Sequence, residues 1–292
     1  MLGCERYLSR GWSVGALAAV AALWISVASA QVLGGACADS AFLHVPDAGL
    51  RRAIHESLGW EFGFEAVGDL KGPDETTTVP CELLARLTRL EAATPHQKVR
   101  SLEGLQYATS LEALTLRMIP LPIPGTSEPH AVESLEPLRG LPNLRYVNIV
   151  SEGELDLEPL ASLPVLEELY LTGVSIARLE ALLELEVDTV VLQYAGLTDI
   201  TALADWERPP GHLGLSLNRI RDLTPLASNP SFDRGHTVDL SYNCVERPAP
   251  LSLDEGTSSH PVRVLRGRGV RLILDHQSVR CGAPDGALEQ DR

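Results

Sequence analysis

Lysine is almost missing from this 292-residue chain: only Lys71 and Lys98 are present. Arginine supplies the other basic groups, and 24 Lys and Arg face 39 Asp and Glu, a net charge of −15. Phosphate recognition needs a basic face, so nucleic acid is excluded as the expected partner. Docking on anionic bilayers is disfavoured for the same reason. Aromatics make up only 5%, so a core has to come from Leu, Val, Ile and Ala. Motifs that carry chemistry are also lacking. The eight histidines are scattered (His44, His55, His96, His130, His212, His236, His260, His276) and none sits in H-E-x-x-H. There is no glycine-rich phosphate loop, EF-hand spacing or C-x-x-C pair. Gly214-Leu-Ser216-Leu-Asn218 approaches a nucleophile elbow, but Asn stands where the final glycine belongs. Neighbouring carboxylates such as Glu167-Glu168 read as a wetted surface. These absences predict a chain that is not an enzyme and uses no cofactor.

What is present begins with a targeting segment. Arg6 and Arg10 precede an uncharged apolar run from Val14 to Val27, and Ala28-Ser29-Ala30 completes a cleavage signal. Residues 1–30 read as a signal peptide cut before Gln31, with an uncleaved anchor as the alternative. Export to periplasm, cell surface or medium follows. Gly34-Gly35-Ala36 ahead of Cys37 is a poor lipobox, which leaves lipidation as a minor alternative. An oxidising destination makes the remaining cysteines disulfide candidates: Cys37, Cys81, Cys244 and Cys281. Four cysteines allow three pairings. Sequence proximity favours Cys37–Cys81 and Cys244–Cys281, one staple at each end. A metal site from Cys244, His276 and Cys281 lacks zinc-ligand spacing.

A period dominates the rest. Leu169-x-Leu171, Val190-x-Leu192, Leu213-x-Leu215 and Val238-x-Leu240 are each an aliphatic pair on one side of a short strand. Earlier copies start at Leu90, Leu114 and Val147. The steps between starts are 24, 33, 22, 21, 23 and 25 residues. All but one fall in the leucine-rich-repeat range. Asn218 and Asn243 follow the second aliphatic by three residues, where an amide can bond exposed backbone. Ile119, Glu152, Val174 and Ala195 replace it in other copies. On the return, Ser101, Ser134, Asp156, Asp199 and Asp222 each precede an aliphatic residue as caps. Pro137, Pro159 and Pro225 fit a first helical turn. Each return segment therefore reads as a short convex 3₁₀ turn, with Arg178 breaking the capping pattern. The prolines of Pro120 to Ser134 mark an eleven-residue surplus, read either as an inert loop or as part of a binding surface.

The ends need caps, because a stacked repeat exposes its core at both. Pro46 to Gly59 predicts a helix with Asp47 as N-cap, Gly59 as C′ residue, and a Leu50, Ile54, Leu58 stripe. A second short helix is expected over Cys81 to Leu87. Beyond Val262 and Leu265, Val270-x-Leu272-x-Leu274 predicts a closing strand. The chain divides into a signal segment (1–30), an N-terminal cap (31–86), about seven irregular repeats (87–246), and a C-terminal cap and tail (247–292).

Pro46-Asp-x-x-Leu-Arg-x-Ala-Ile, Leu102-Glu-Gly-Leu-Gln-Tyr-Ala, Asp222-Leu-Thr-Pro-Leu-Ala and Val238-Asp-Leu-Ser-Tyr-Asn together resemble the internalin-type bacterial leucine-rich-repeat proteins. The resemblance spans about residues 42–275. It departs from that pattern in the insertion, the missing asparagines and the diverged first copy. It implies an α/β solenoid: a horseshoe with a parallel concave sheet, convex 3₁₀ turns, a helical N-terminal cap and a C-terminal cap strand. It also implies an exported protein that binds other proteins through its concave face.

On that face the residues flanking the aliphatic pairs are the candidate site. They are Thr115, Arg117, Tyr146, Asn148, Glu168, Tyr170, Thr172, Val191, Gln193, Tyr194, Ser216, Asp239 and Tyr242, with His212 and Ser241 beside them. Four of the six tyrosines fall in this set, and tyrosine offers contact area with a polar tip. The expected partner is a protein of unknown identity, engaged by a monomer. The alternative is a structural cell-envelope component that self-associates.

Overall fold

A computed structural model describes residues 42–63, 78–93, 98–117, 131–246 and 260–277. Its centre is an eight-stranded parallel sheet. In spatial order the strands are β3 (Arg89–Ala92), β4 (Ala113–Arg117), β5 (Tyr146–Val150), β7 (Glu168–Thr172), β9 (Thr189–Gln193), β10 (His212–Gly214), β11 (Thr237–Asp239) and β12 (Arg271–Ile273). All seven repeat starts align across it: Leu90, Leu114, Val147, Leu169, Val190, Leu213 and Val238 are register partners in turn, and Leu272 of the closing strand follows Val238. The second aliphatics, Ala92, Leu116, Ile149, Leu171, Leu192, Leu215, Leu240 and Leu274, are buried beside them. Strand alternation aims both columns inward.

The opposite wall of the core comes from the return segments. Residues Leu105–Tyr107, Glu136–Leu138, Glu158–Ser162, Leu179–Glu184 and Thr201–Asp205 are 3₁₀ turns, as the capping pattern predicts. The sixth, Thr224–Ser228, is instead a short α-helix. Leu105, Leu138, Leu160, Leu182, Leu203 and Leu226 bury against the sheet, one per rung. The five capping side chains act two residues ahead, as Asx and Ser turns. Glu103, Glu136, Glu158, Thr201 and Thr224 donate backbone N–H groups to Ser101, Ser134, Asp156, Asp199 and Asp222 at 2.8–3.2 Å. Arg178, which lacks that ability, reaches back one rung to the Asp156 carboxylate at 3.0 Å.

The N-terminal cap closes the sheet edge at β3. The helix α1 (Ala48–Phe62) starts at Asp47, whose carboxylate accepts from Leu50 N at 2.7 Å. The same carboxylate accepts from Arg100 N at 2.9 Å and Ser101 N at 3.2 Å, tying the helix start to the first repeat. Leu50, Ile54 and Leu58 are fully buried. The helix runs past the expected stop. Gly59 lies inside it and Gly63, at φ 87°, ends it, because Phe62 still reaches the core and packs under Arg86. Ser57 Oγ and the Glu61 carboxylate accept from the backbone N–H groups of Glu91 and Thr88, satisfying donors on the edge strand. The expected second helix is α2 (Cys81–Arg86), joined to a small antiparallel pair of β1 (Phe42–His44) and β2 (Thr78–Pro80).

At the far end, the segment around Val262 and Leu265 is helical: α4 (Pro261–Gly267) follows α3 (Thr224–Ser228) and packs on it. Two aliphatics three apart are too few to announce a helix in the sequence. A second small sheet, β6 (Glu154–Leu155) with β8 (Ser175–Ile176), also escaped the sequence reading.

Cys81 opens α2 beside β3, and Cys244 follows β11, six strand steps away in the sheet order. At about 4.8 Å per step that is ~29 Å, far past the ~7 Å Cα limit for a disulfide. Cys81–Cys244 is thereby excluded as a pair. Cys37, Cys281, the signal segment and most of the Pro120 to Ser134 insertion lie outside the described residues.

Candidate functional site

Residues alternating with the inward aliphatics lie on the opposite face of the sheet, where Asn148, Val191 and Ser216 are themselves buried by their neighbours, and the register stacks them into three columns. The first holds Tyr146, Glu168, Thr189, His212 and Thr237; the second holds Thr115, Asn148, Tyr170, Val191, Gly214 and Asp239. The third starts with Arg117, Val150, Thr172 and Gln193, and Ser216 and Ser241 continue it two residues beyond Gly214 and Asp239. The ladder persists there, since Leu217 N donates to Ser241 O at 3.0 Å. Eleven of the thirteen candidate residues thus share one face.

The other two do not. Tyr194 and Tyr242 stand one step past the third column, on the rim where the chain leaves the sheet. There the backbone is left-handed, φ 55° and 57°, so these rings leave the sheet at an angle that strand alternation does not foresee.

The face is densest at β5 and β7. The Tyr146 and Tyr170 rings lie 5.5 Å apart, tilted by 40°. Asn148 Nδ2 donates to Tyr146 Oη at 2.9 Å, and Tyr170 Oη donates to Glu168 Oε2 at 2.7 Å. Desolvation, then the Glu168 hydrogen bond and its negative charge, push the Tyr170 phenol up to about 12. The phenol therefore keeps its proton and its hydrogen bond to Glu168 at neutral pH. Further along, Gln193 Nε2 donates to Ser216 Oγ at 2.9 Å, and Asp239 accepts from Ser241 N. Gly214 leaves its place in the second column without a side chain because a Cβ there would come within 3.0 Å of Val191.

Ser216 and His212 belong to one rung, four residues apart, which on an extended strand is about 13 Å. Ser216 is 5% exposed. Among the described residues, no group of three His, Cys, Asp or Glu side chains is placed to hold a metal ion. No described helix is long and apolar enough to cross a membrane.

A parallel sheet of stacked aliphatic pairs, convex 3₁₀ turns and a helical cap define a leucine-rich-repeat solenoid. No family model and no curated protein matches the chain. Among solved structures it is similar to internalin C2 of Listeria monocytogenes, at 21% identity over 78% of this chain and 94% of that one, TM-score 0.43. It is also similar to internalin F of the same organism, at 19% identity over 80% and 76%, TM-score 0.31. The fold assignment rests on the register and core described above.

Proposed function

We propose that this chain is an exported recognition module that binds a protein partner on the concave face of its sheet and catalyses no reaction. The observation that carries the reading is the Tyr146–Asn148–Glu168–Tyr170 cluster. Its polar tips are bonded in two pairs, Asn148 to Tyr146 and Tyr170 to Glu168, and its two rings are half-buried against each other in the middle of the sheet. Side chains already held in place lose little entropy on binding, and tyrosine is among the residues that dominate interface energies. In this reading residues 1–30 are removed, 31–86 and 247–292 cap the array, and the protein acts as a monomer. The cysteines pair as Cys37–Cys81 and Cys244–Cys281, which non-reducing peptide mapping tests directly.

Site-specific photocrosslinking tests the face. A photoreactive residue at Thr172, in the third column, is expected to trap the partner, while one at Glu180, on the convex side, is not. Trapping from Glu180 alone would overturn the assignment and favour a self-associating envelope component that uses its outer surface.

A further inference from the structure

Gly173, Tyr194, Leu217, Tyr242 and His276 occupy one position on five successive rungs, β7 to β12. All five are left-handed, with φ of 82°, 55°, 60°, 57° and 49°. Glycine adopts this conformation freely, and other residues adopt it at a cost. At Gly173 a Cβ would lie 2.7 Å from Ser151 O. The next four rungs place large side chains at the strained position, where they project outward. Tyr194 is 69% exposed, Leu217 45% and Tyr242 48%, three of the five large exposed hydrophobics among the described residues. The Tyr242 ring stacks on His276 at 5.1 Å. The result is an apolar rail along the exit rim of the sheet. At its far end Asp275, the neighbour of His276, is exposed.

We infer that this rail binds an extended proline-rich peptide that ends in basic residues. Neighbouring rungs are about 4.8 Å apart, so the Tyr194 and Tyr242 backbones, two rungs apart, are separated by ~9.6 Å. A polyproline II helix turns once in three residues of 3.1 Å, about 9.3 Å. Two residues three apart in such a peptide, laid across the strands, therefore meet the two tyrosines. Its backbone carbonyls have no internal partners, so they can accept from phenol hydroxyls. Asp275, next to His276, complements a basic terminus and sets the peptide's direction. The inference rests on the chain being a protein-binding module, but assigns a ligand to the rim and not to the Tyr146–Tyr170 cluster.

Fluorescence anisotropy of the full chain tests it. The probes are a labelled octaproline followed by two arginines and a Gly-Ser peptide of equal length and charge. The proline peptide is expected to bind at least about tenfold more tightly. A Tyr194→Asn/Tyr242→Asn variant is expected to lose about tenfold in affinity without loss of melting temperature, because asparagine tolerates the left-handed backbone. A Tyr146→Ala/Tyr170→Ala variant is expected to bind the peptide unchanged, so failure at the rim and failure at the sheet centre are separately visible. Equal binding of the two peptides, no binding, or an unaffected rim variant would overturn the inference. So would sedimentation showing a dimer that only the rim variant disrupts, which would make a second copy the occupant.

Discussion

The rungs at β5 and β7 and those at β9 to β12 make the same turn out of the sheet and stabilise it differently. In the second group a buried amide does the work. Asn218 Oδ1 accepts from Ala195 N at 2.9 Å and Leu197 N at 3.1 Å, and its Nδ2 donates to Leu192 O and Leu215 O at 2.8 and 2.9 Å. Asn243 repeats this one rung on, with Ile220 N as donor. Gln277 closes the series, accepting from Val245 N and donating to Leu240 O, both at 2.9 Å. At β5 and β7, Glu152 and Val174 stand in the asparagine position. There the backbone groups find each other: β6 pairs with β8, and Ser175 N and Ala177 N donate to Gly153 O and Leu155 O at 2.8 and 3.0 Å. Buried backbone groups must be paired, and a side-chain amide and a strand pair are two ways to do it. The first concentrates the burden on one residue; the second spreads it along the chain.

That contrast predicts unequal sensitivity. Asn218→Ala leaves several buried groups unpaired, and urea unfolding should show a loss of about 3–4 kcal/mol. Val174→Ala, at the equivalent place in the other group, removes only apolar volume and should lose roughly 1.5 kcal/mol. Equal losses would break the comparison. Gly49→Ala extends it to the cap. A Cβ there would lie 2.3 Å from Lys98 O, a backbone atom, so a loss of about 3 kcal/mol from overpacking is expected; a neutral outcome would mean the cap helix docks elsewhere.

Alkaline titration gives a smaller effect, confined to the β5–β7 group. The Tyr170 phenol, raised to about 12, is harder to ionise folded than unfolded. Its contribution to stability is full below about pH 10 and disappears as pH rises from there through 12. Phenolate absorbance should show one late tyrosine, absent in Tyr170→Phe. The smallest effect is on the acid side. Asp199, bonded by the Thr201 hydroxyl and N–H, and Asp156, bonded chiefly by the Glu158 N–H, are held below the usual carboxylate range. Their contribution is present at neutral pH and fades as pH falls below about 4. Both are exposed, so Asp199→Asn should flatten the acid limb of a melting curve only slightly.

Most of the fold was legible because its signals are periodic. The aliphatic starts, the Ser and Asp caps and the cap-helix stripe each recur at fixed spacing, and each maps onto a register partner, a backbone bond or a buried face. What escaped has no period. Gly49 is required by one close backbone approach. Asn229 bonds Leu203 O and Trp206 O in one rung alone, and α4 carries only two buried aliphatics. The sheet face was readable from alternation. The rim was not, because the left-handed step after the strand turns Tyr194 and Tyr242 out of the pattern that places their neighbours.

The central claim is that the tyrosine cluster at the sheet centre is the binding face. It is tested most directly by comparing what the chain from Gln31 onward retains, as bait, with what a Tyr146→Ala/Tyr170→Ala bait of matched melting temperature retains. The account predicts a protein held by the first and lost from the second. A protein held equally by both would contradict it.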